Sequence, residues 1–160
     1  MWISIAHDKS IDRWIAERHY LESSPWAATI RMWFLEGNKK EFVDDTKKLG
    51  AMLWNHPTAR ALNQDMLLEL TRMYFVDNTE PNIESKALAM ARRWIRKNRS
   101  EIKGLLAYSS EGMNHQGTVY LADGWFTLYK TNGSTWEGRK NRESRVDRDT
   151  SKKILWVRTP

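Results

Sequence analysis

Apolar positions recur along this chain at two spacings, every second residue or every third to fourth, and the elements change where the spacing changes. Ser10–His19 carries the helical spacing: Ile11, Trp14, Ile15 and Arg18 share a face, with Ser10 as a candidate N-cap. Ser23-Ser24-Pro25 ends that segment. Over Ala28–Leu35 the rhythm alternates, Ile30, Met32 and Phe34 against Arg31 and Trp33, which predicts a strand. Glu36-Gly37-Asn38 is a turn signal, and Lys39–Lys48 is charged surface material. Leu49, Ala51, Leu53 and Trp54 predict a second strand paired with the first, broken by His56-Pro57-Thr58.

Met66–Val76 predicts the next strand, with Leu68, Leu70, Arg72 and Tyr74 on one face and Leu67, Glu69, Thr71, Met73 and Phe75 on the other. Asp77–Pro81 is a polar loop. Asn82–Asn98 has the clearest helical pattern, with Ile83, Ala87, Leu88, Ala91, Trp94 and Ile95 on one face and Arg92, Arg93, Arg96 and Lys97 away from it. The apolar run Ile102–Tyr108 leads into a polar loop over Ser109–Gly117, a short helical segment ending at Gly124, and a strand-like run Phe126–Tyr129. Thr131-Asn132-Gly133-Ser134 is a turn, the next stretch is basic, and Lys153–Arg158 predicts a final strand. Strands followed by strand–helix–strand–short helix–strand–strand imply a mixed sheet flanked by helices, α/β or α+β.

At 160 residues the chain is expected to be one domain, with its motifs over about 66–129 and a basic segment over 131–160. No cysteine is present, which excludes disulfides, thiolate metal sites and a cysteine nucleophile. Histidines at 7, 19, 56 and 115 show no metal-ligand spacing. No secretory core or membrane-length apolar run is visible, so a cytoplasmic protein is expected, in the host cytoplasm if phage-encoded. A net charge of +6 favours an acidic partner, a nucleic acid or a nucleotide cofactor. Nine tryptophans serve the core first; any surplus at the surface suits stacking on a flat ligand.

Tyr120-Leu121-Ala122-Asp123-Gly124-Trp125, coming after a strand and a loop, resembles the Tyr-x-x-x-Gly-Phe motif that ends the GNAT fold. GNAT is the superfamily of acyl-coenzyme A-dependent N-acetyltransferases, and the resemblance implies a GNAT-like mixed central sheet, an acetyl-CoA or other acyl-CoA, and a tyrosine beside its sulfur. The superfamily's usual Arg/Gln-x-x-Gly-x-Gly/Ala loop is replaced here by Asn78-Thr79-Glu80-Pro81-Asn82-Ile83-Glu84-Ser85. A narrower set, Glu69-Leu70-Thr71-Arg72-Met73-Tyr74, Pro81-Asn82-x-Glu84-Ser85, Ala107-Tyr108-Ser109 and His115-x-Gly117-Thr118-x-Tyr120, is similar to the Mom type of phage DNA-modification protein. Ser110 stands where such proteins are expected to carry aspartate. That resemblance implies modification of the exocyclic amine of adenine in double-stranded DNA, as a defence against restriction.

Roles follow as expectations. Tyr120 is the candidate acid for the leaving thiolate, since a phenol titrating near about 10 matches it in basicity; a tyrosine packed on the sheet is the alternative. Tyr108 and Ser109 belong to the same catalytic set, Ser109 bonding substrate or simply capping its loop. His115 relays a proton, binds metal or does neither. Arg72 and Tyr74 hold a substrate phosphate or acidic group, or Arg72 pairs structurally with Glu69 or Asp77. Asn82 and Ser85 offer donors to the cofactor's phosphates at the helix start, or Asn82 is only its N-cap. Arg139, Lys140, Arg142 and Arg145 track the DNA backbone or form a solvated loop, with Trp136 nearby to stack on an extruded base. The competing readings are an acetyltransferase for a protein or small-molecule amine, and a non-catalytic basic DNA-binding protein on a GNAT scaffold.

Overall fold

The computed structural model describes residues 1–19, 28–38, 47–77, 79–111, 116–133 and 151–160. Its strands are β1 (Trp2–Ile5), β2 (Ile30–Leu35), β3 (Lys48–Asn55), β4 (Leu67–Phe75), β5 (Gly104–Ser110), β6 (Phe126–Lys130) and β7 (Lys153–Arg158). The helices are α1 (Ser10–Ala16), α2 (Ile83–Asn98) and α3 (Thr118–Ala122). The strands form one seven-stranded sheet in the order β1-β2-β3-β4-β5-β7-β6. Among the described residues only β4 and β5 run parallel; β7 inserts between β5 and β6. The expected mixed sheet with helices is therefore present.

Each face of the sheet has its own core. Ile30, Met32 and Phe34 of β2, Met52 and Trp54 of β3, and Leu68 and Leu70 of β4 pack against Ala87, Leu88, Ala91 and Ile95 of α2. On the other face Trp33, Leu35, Ala51 and Leu53 pack against Ile11 and Ile15 of α1. The alternation read in β2 thus sorts its side chains between the two cores.

Four local expectations change. Trp2–Ile5 forms a strand, β1, whose four residues are all partly buried, so neither face of it carries an apolar stripe. Helix α1 ends at Ala16, where the amides of Arg18 and His19 both turn back to the Ile15 carbonyl. Lys9, not Ser10, holds the N-cap position; the Ser10 amide donates to Asp8 Oδ1 at 2.7 Å. In β4, Leu53 faces Arg72 while Trp54 faces Leu70, so Thr71 is an extra residue in the ladder and its hydroxyl donates to the Leu53 carbonyl at 3.0 Å. This bulge reverses the phase of the strand. Leu68 and Leu70 face α2, but Arg72 and Tyr74, opposite Leu53 and Ala51, face α1 together with Glu69. The expected sharing of one face by Leu68, Leu70, Arg72 and Tyr74 fails for that reason.

A buried ion pair fixes α3 to α2. Arg92 donates to Asp123 through Nε at 2.7 Å and Nη2 at 2.9 Å, and the Trp125 indole donates to the same carboxylate at 2.8 Å. Arg92, read from the sequence as facing away, reaches over the helix end instead. At the other end of α3, Gly117 has φ +74° with the Trp156 ring where a Cβ would lie, 2.3 Å away, so both conformation and space require glycine there. Asp123→Ala removes one partner of a desolvated pair and is expected to cost about 3–5 kcal/mol in urea unfolding. The double replacement Arg92→Met with Asp123→Leu is expected to recover much of that loss.

Candidate active site

β4 and β5 pair only from Leu67–Leu70 to Gly104–Ala107, after which β4 continues to Phe75 and β5 to Ser110 without pairing to each other. Where two parallel neighbours part, the backbone amides and carbonyls on the facing edges lose their ladder partners. An extended ligand bearing amides can take those places, as a peptide does at a sheet edge. The opening lies at the carboxyl ends of both strands, the usual side for ligands in sheets with parallel strands, and both faces of the sheet reach it.

On the α2 face stands Tyr120, 8% exposed, with its ring 5.4 Å from that of Trp125 and 5.7 Å from that of Trp156. The Trp156 indole donates to Ser109 Oγ at 2.8 Å. Ser109 is buried and, in this arrangement, supports the wall that holds the tyrosine. Gly117 lets α3 start against Trp156, and the Arg92–Asp123–Trp125 network ties down its end.

The α1 face gathers a different chemistry. Glu69, 7% exposed, accepts from the Thr58 amide at 2.7 Å and from the Thr58 hydroxyl at 3.2 Å. Burial pushes its carboxyl above the usual range, against the lowering effect of those bonds and of the Lys153 and Arg72 charges. Burial also raises the Tyr108 phenol, with smaller contributions from the nearby Tyr129 and Glu69. Arg72 Nη1 donates to the Thr71 carbonyl at 2.7 Å, and Tyr74 packs edge-on against Trp14 of α1, 5.4 Å between centroids. Ser110, where aspartate was expected, shares a 2.6 Å hydrogen bond with Ser151.

The structure thus brings Tyr108, Arg72 and Tyr74 to one face and Ser109 and Tyr120 to the other. Sequence reading missed Glu69 as a site residue and Tyr129 altogether. The signal for Glu69 was available: a carboxylate within Leu67-Leu68-Glu69-Leu70 is costly unless its environment satisfies it.

At the start of α2, Asn82 sits at the N-cap position in the left-handed region, φ +62°, with no side-chain capping bond. Ser85 Oγ donates to the Asn82 carbonyl at 3.0 Å. The first turn of the helix still presents amides and the positive end of its dipole. A groove of about 570 Å³ lies beyond it, between α2 and the β2–β3 end, with Thr79, Glu80, Lys86 and Arg93 in its wall; no β4 or β5 side chain lines it. His115, Trp136, Arg139, Lys140, Arg142 and Arg145 lie outside the described residues. Among the described residues no three His, Asp or Glu side chains gather as a metal site, and no helix is long and apolar enough to cross a membrane.

The fold has close counterparts among solved structures. It is similar to that of the IAA acetyltransferase from Bacillus cereus, with 10% identity, 99% of each chain covered and a TM-score of 0.62. It is similar to the Bacillus subtilis acetyltransferase in complex with CoA, with 8% identity, 99% of this chain and 97% of that chain covered, and a TM-score of 0.60. For the GNAT-family acetyltransferase from Streptococcus pneumoniae the figures are 13% identity, 81% of this chain and a TM-score of 0.52, and the chain spans 65% of that protein's length. Identities this low establish the fold alone, the one shared by GNAT acetyltransferases. By sequence, no curated protein matches. The sequence profile of the Mom protein family matches residues 2–159, and the chain belongs to that family.

Proposed function

We propose that this protein transfers an acyl group from an acyl-CoA to the exocyclic amine of a base in DNA, adenine first among the bases, as a phage-type defence against restriction. The observation that carries the reading is the parting of β4 and β5 between a packed tyrosine on one face and a buried carboxylate on the other. The acceptor rests on membership of the Mom family and on the net charge of +6.

An acyl-CoA supplies a thioester carbonyl: the amine's C–N bond forms there and the C–S bond breaks. The parted strand edges and the first turn of α2 would hold its amide-bearing arm and its phosphates. Glu69, from the α1 face, takes the proton that the attacking amine loses. Its raised pKa makes it a stronger base once ionised. Tyr120, from the α2 face, gives a proton to the departing thiolate, and Trp125 and Trp156 keep its ring in place. Arg72 lies on the acceptor's face, where its charge suits a phosphate of the DNA backbone.

The test is to express the protein with a plasmid in bacteria and to digest that plasmid to nucleosides for mass spectrometry. A new nucleoside is expected from wild type. Tyr120→Phe keeps the ring packing, and its yield is expected to fall by about 100-fold or more. No new nucleoside from wild type, with acetyl-CoA still bound in titration, would move the acceptor to a protein or small-molecule amine. Loss of acyl-CoA binding altogether would favour the non-catalytic DNA-binding reading.

Glu69 makes a second prediction through pH. Its folded-state pKa is raised, so the native state holds more protons than the unfolded chain above the ordinary value of 4.5. Stability from this group is therefore full below that value and declines as pH rises through the raised pKa. In thermal melts across pH, Glu69→Gln is expected to lose that decline. In rate measurements the wild-type rate climbs through the same interval, as the carboxylate forms, and the variant lacks the climb.

A further inference from the structure

Of the large apolar side chains left exposed among the described residues, four fall on one stretch: Leu121, Phe126, Leu128 and Tyr129. Phe126 is 73% exposed and Tyr129 48%. A second bulge decides which of them share a face. Thr127 faces Trp156 and Tyr129 faces Leu155, so Leu128 is the extra residue and Phe126 and Tyr129 fall on the same side of the sheet.

That side is the one bearing Glu69. Phe126 faces Val157, which faces Leu106, which faces Glu69 across β4 and β5. Tyr129 faces Leu155, which faces Tyr108. Two rows therefore run across β6, β7 and β5 toward the parted strands. Their inner members Leu106 and Leu155 are buried and their outer rings are open to solvent. At about 4.8 Å per strand, Phe126 lies roughly 14 Å from Glu69 along its row.

Two open rings on a pleated surface, with a proton acceptor at the inner end of the Phe126 row, suit a ligand made of flat groups. β7, beside the strand that carries them, begins at Lys153, which faces Ser110 on the Glu69 side of the sheet and is preceded by the exposed Lys152. Lys130, by contrast, faces Ile154 on the other side and pairs with Glu111 at 2.9 Å. The chain as a whole carries +6. A polyanion with π faces fits both features, whereas a second copy of this chain would bring like charge to the same edge.

We propose that Phe126 and Tyr129 form a stacking platform for a single-stranded or extruded nucleotide of DNA, at the outer end of the rows whose inner ends are Glu69 and Tyr108. The identity of the acceptor rests on the function proposed above; the platform rests on the register and exposure of β6. Base–aromatic stacking is tolerant of sequence and largely independent of salt, unlike contacts to phosphate.

The experiment is anisotropy titration of a short fluorescein-labelled single-stranded oligodeoxynucleotide across a salt series. It compares wild type with Phe126→Leu, which keeps apolar bulk without a ring, and Phe126→Trp, which keeps the ring. Phe126→Leu is expected to weaken binding by about 5- to 150-fold at every salt concentration, with the salt slope unchanged. Phe126→Trp is expected to bind like wild type or more tightly. Equal binding by all three overturns the platform, as does no binding by wild type, or a Trp variant as weak as the Leu one. Sedimentation showing a wild-type dimer that Phe126→Leu dissociates overturns it in favour of a subunit contact. Nucleoside analysis of the same variants separates the two ideas. A wild-type adduct with ring-independent binding removes the platform and leaves the enzyme; ring-dependent binding without any adduct removes the enzyme and leaves the platform.

Discussion

Two parallel strands that pair at four positions and then part are the constraint on which the rest of this molecule is arranged. A fully paired sheet would leave no path from one face to the other. The parting is accompanied by a bulge at Thr71, and bulges bend a strand and sharpen its twist. β3 continues to pair with β4 beyond that point, and β7 with β5, so each diverging strand keeps one complete ladder. The opening is thus held by its outer neighbours and exposes backbone only where a ligand can use it.

The same bulge explains why the site has two unlike sides. Without the extra residue, Arg72 and Tyr74 would lie in the apolar core beneath α2; with it, they join Glu69 on the face toward α1. One side is then a wall of Tyr120, Trp125 and Trp156 braced by Ser109 and by the Arg92–Asp123 pair. The other holds a carboxylate and a phenol, Glu69 and Tyr108, whose protons burial makes harder to remove. A reaction that must give a proton to one atom and take one from another gains from donors and acceptors kept apart, because each pKa is then set by its own surroundings.

Much of this was legible in the residues. The long period of α2, the strands at 67–75, 126–130 and 153–158, and the motif ending at Trp125 located the core and the GNAT-type sheet. The bulges were not legible, since an extra residue such as Thr71 or Leu128 has no composition of its own and shows only as a phase error against a partner strand. That single blind spot put Arg72 and Tyr74 on the wrong face. Glu69 was overlooked for a related reason: its value depends on Thr58, which approaches from a loop far away in sequence. Likewise Arg92 belonged, by helical spacing, to the solvent, and only the position of α3 gives it Asp123.

The tryptophans bear on how a flat ligand is met. Each of the seven within the described residues is buried or partly buried, and Trp54 and Trp156 are almost wholly so. Indoles here build walls: Trp125 and Trp156 hold Tyr120, and Trp14 and Trp33 meet edge to face at 5.0 Å beneath α1. Among the described residues the rings left open to solvent are a phenylalanine and a tyrosine on the edge strand β6. A large bicyclic ring in a core is rigid and costly to move, whereas a single ring on an edge strand can adjust to a flat ligand. The division suits the proposed reaction, in which Tyr120 would stay fixed as the acid while the acceptor, a base in a polymer, would change at every encounter.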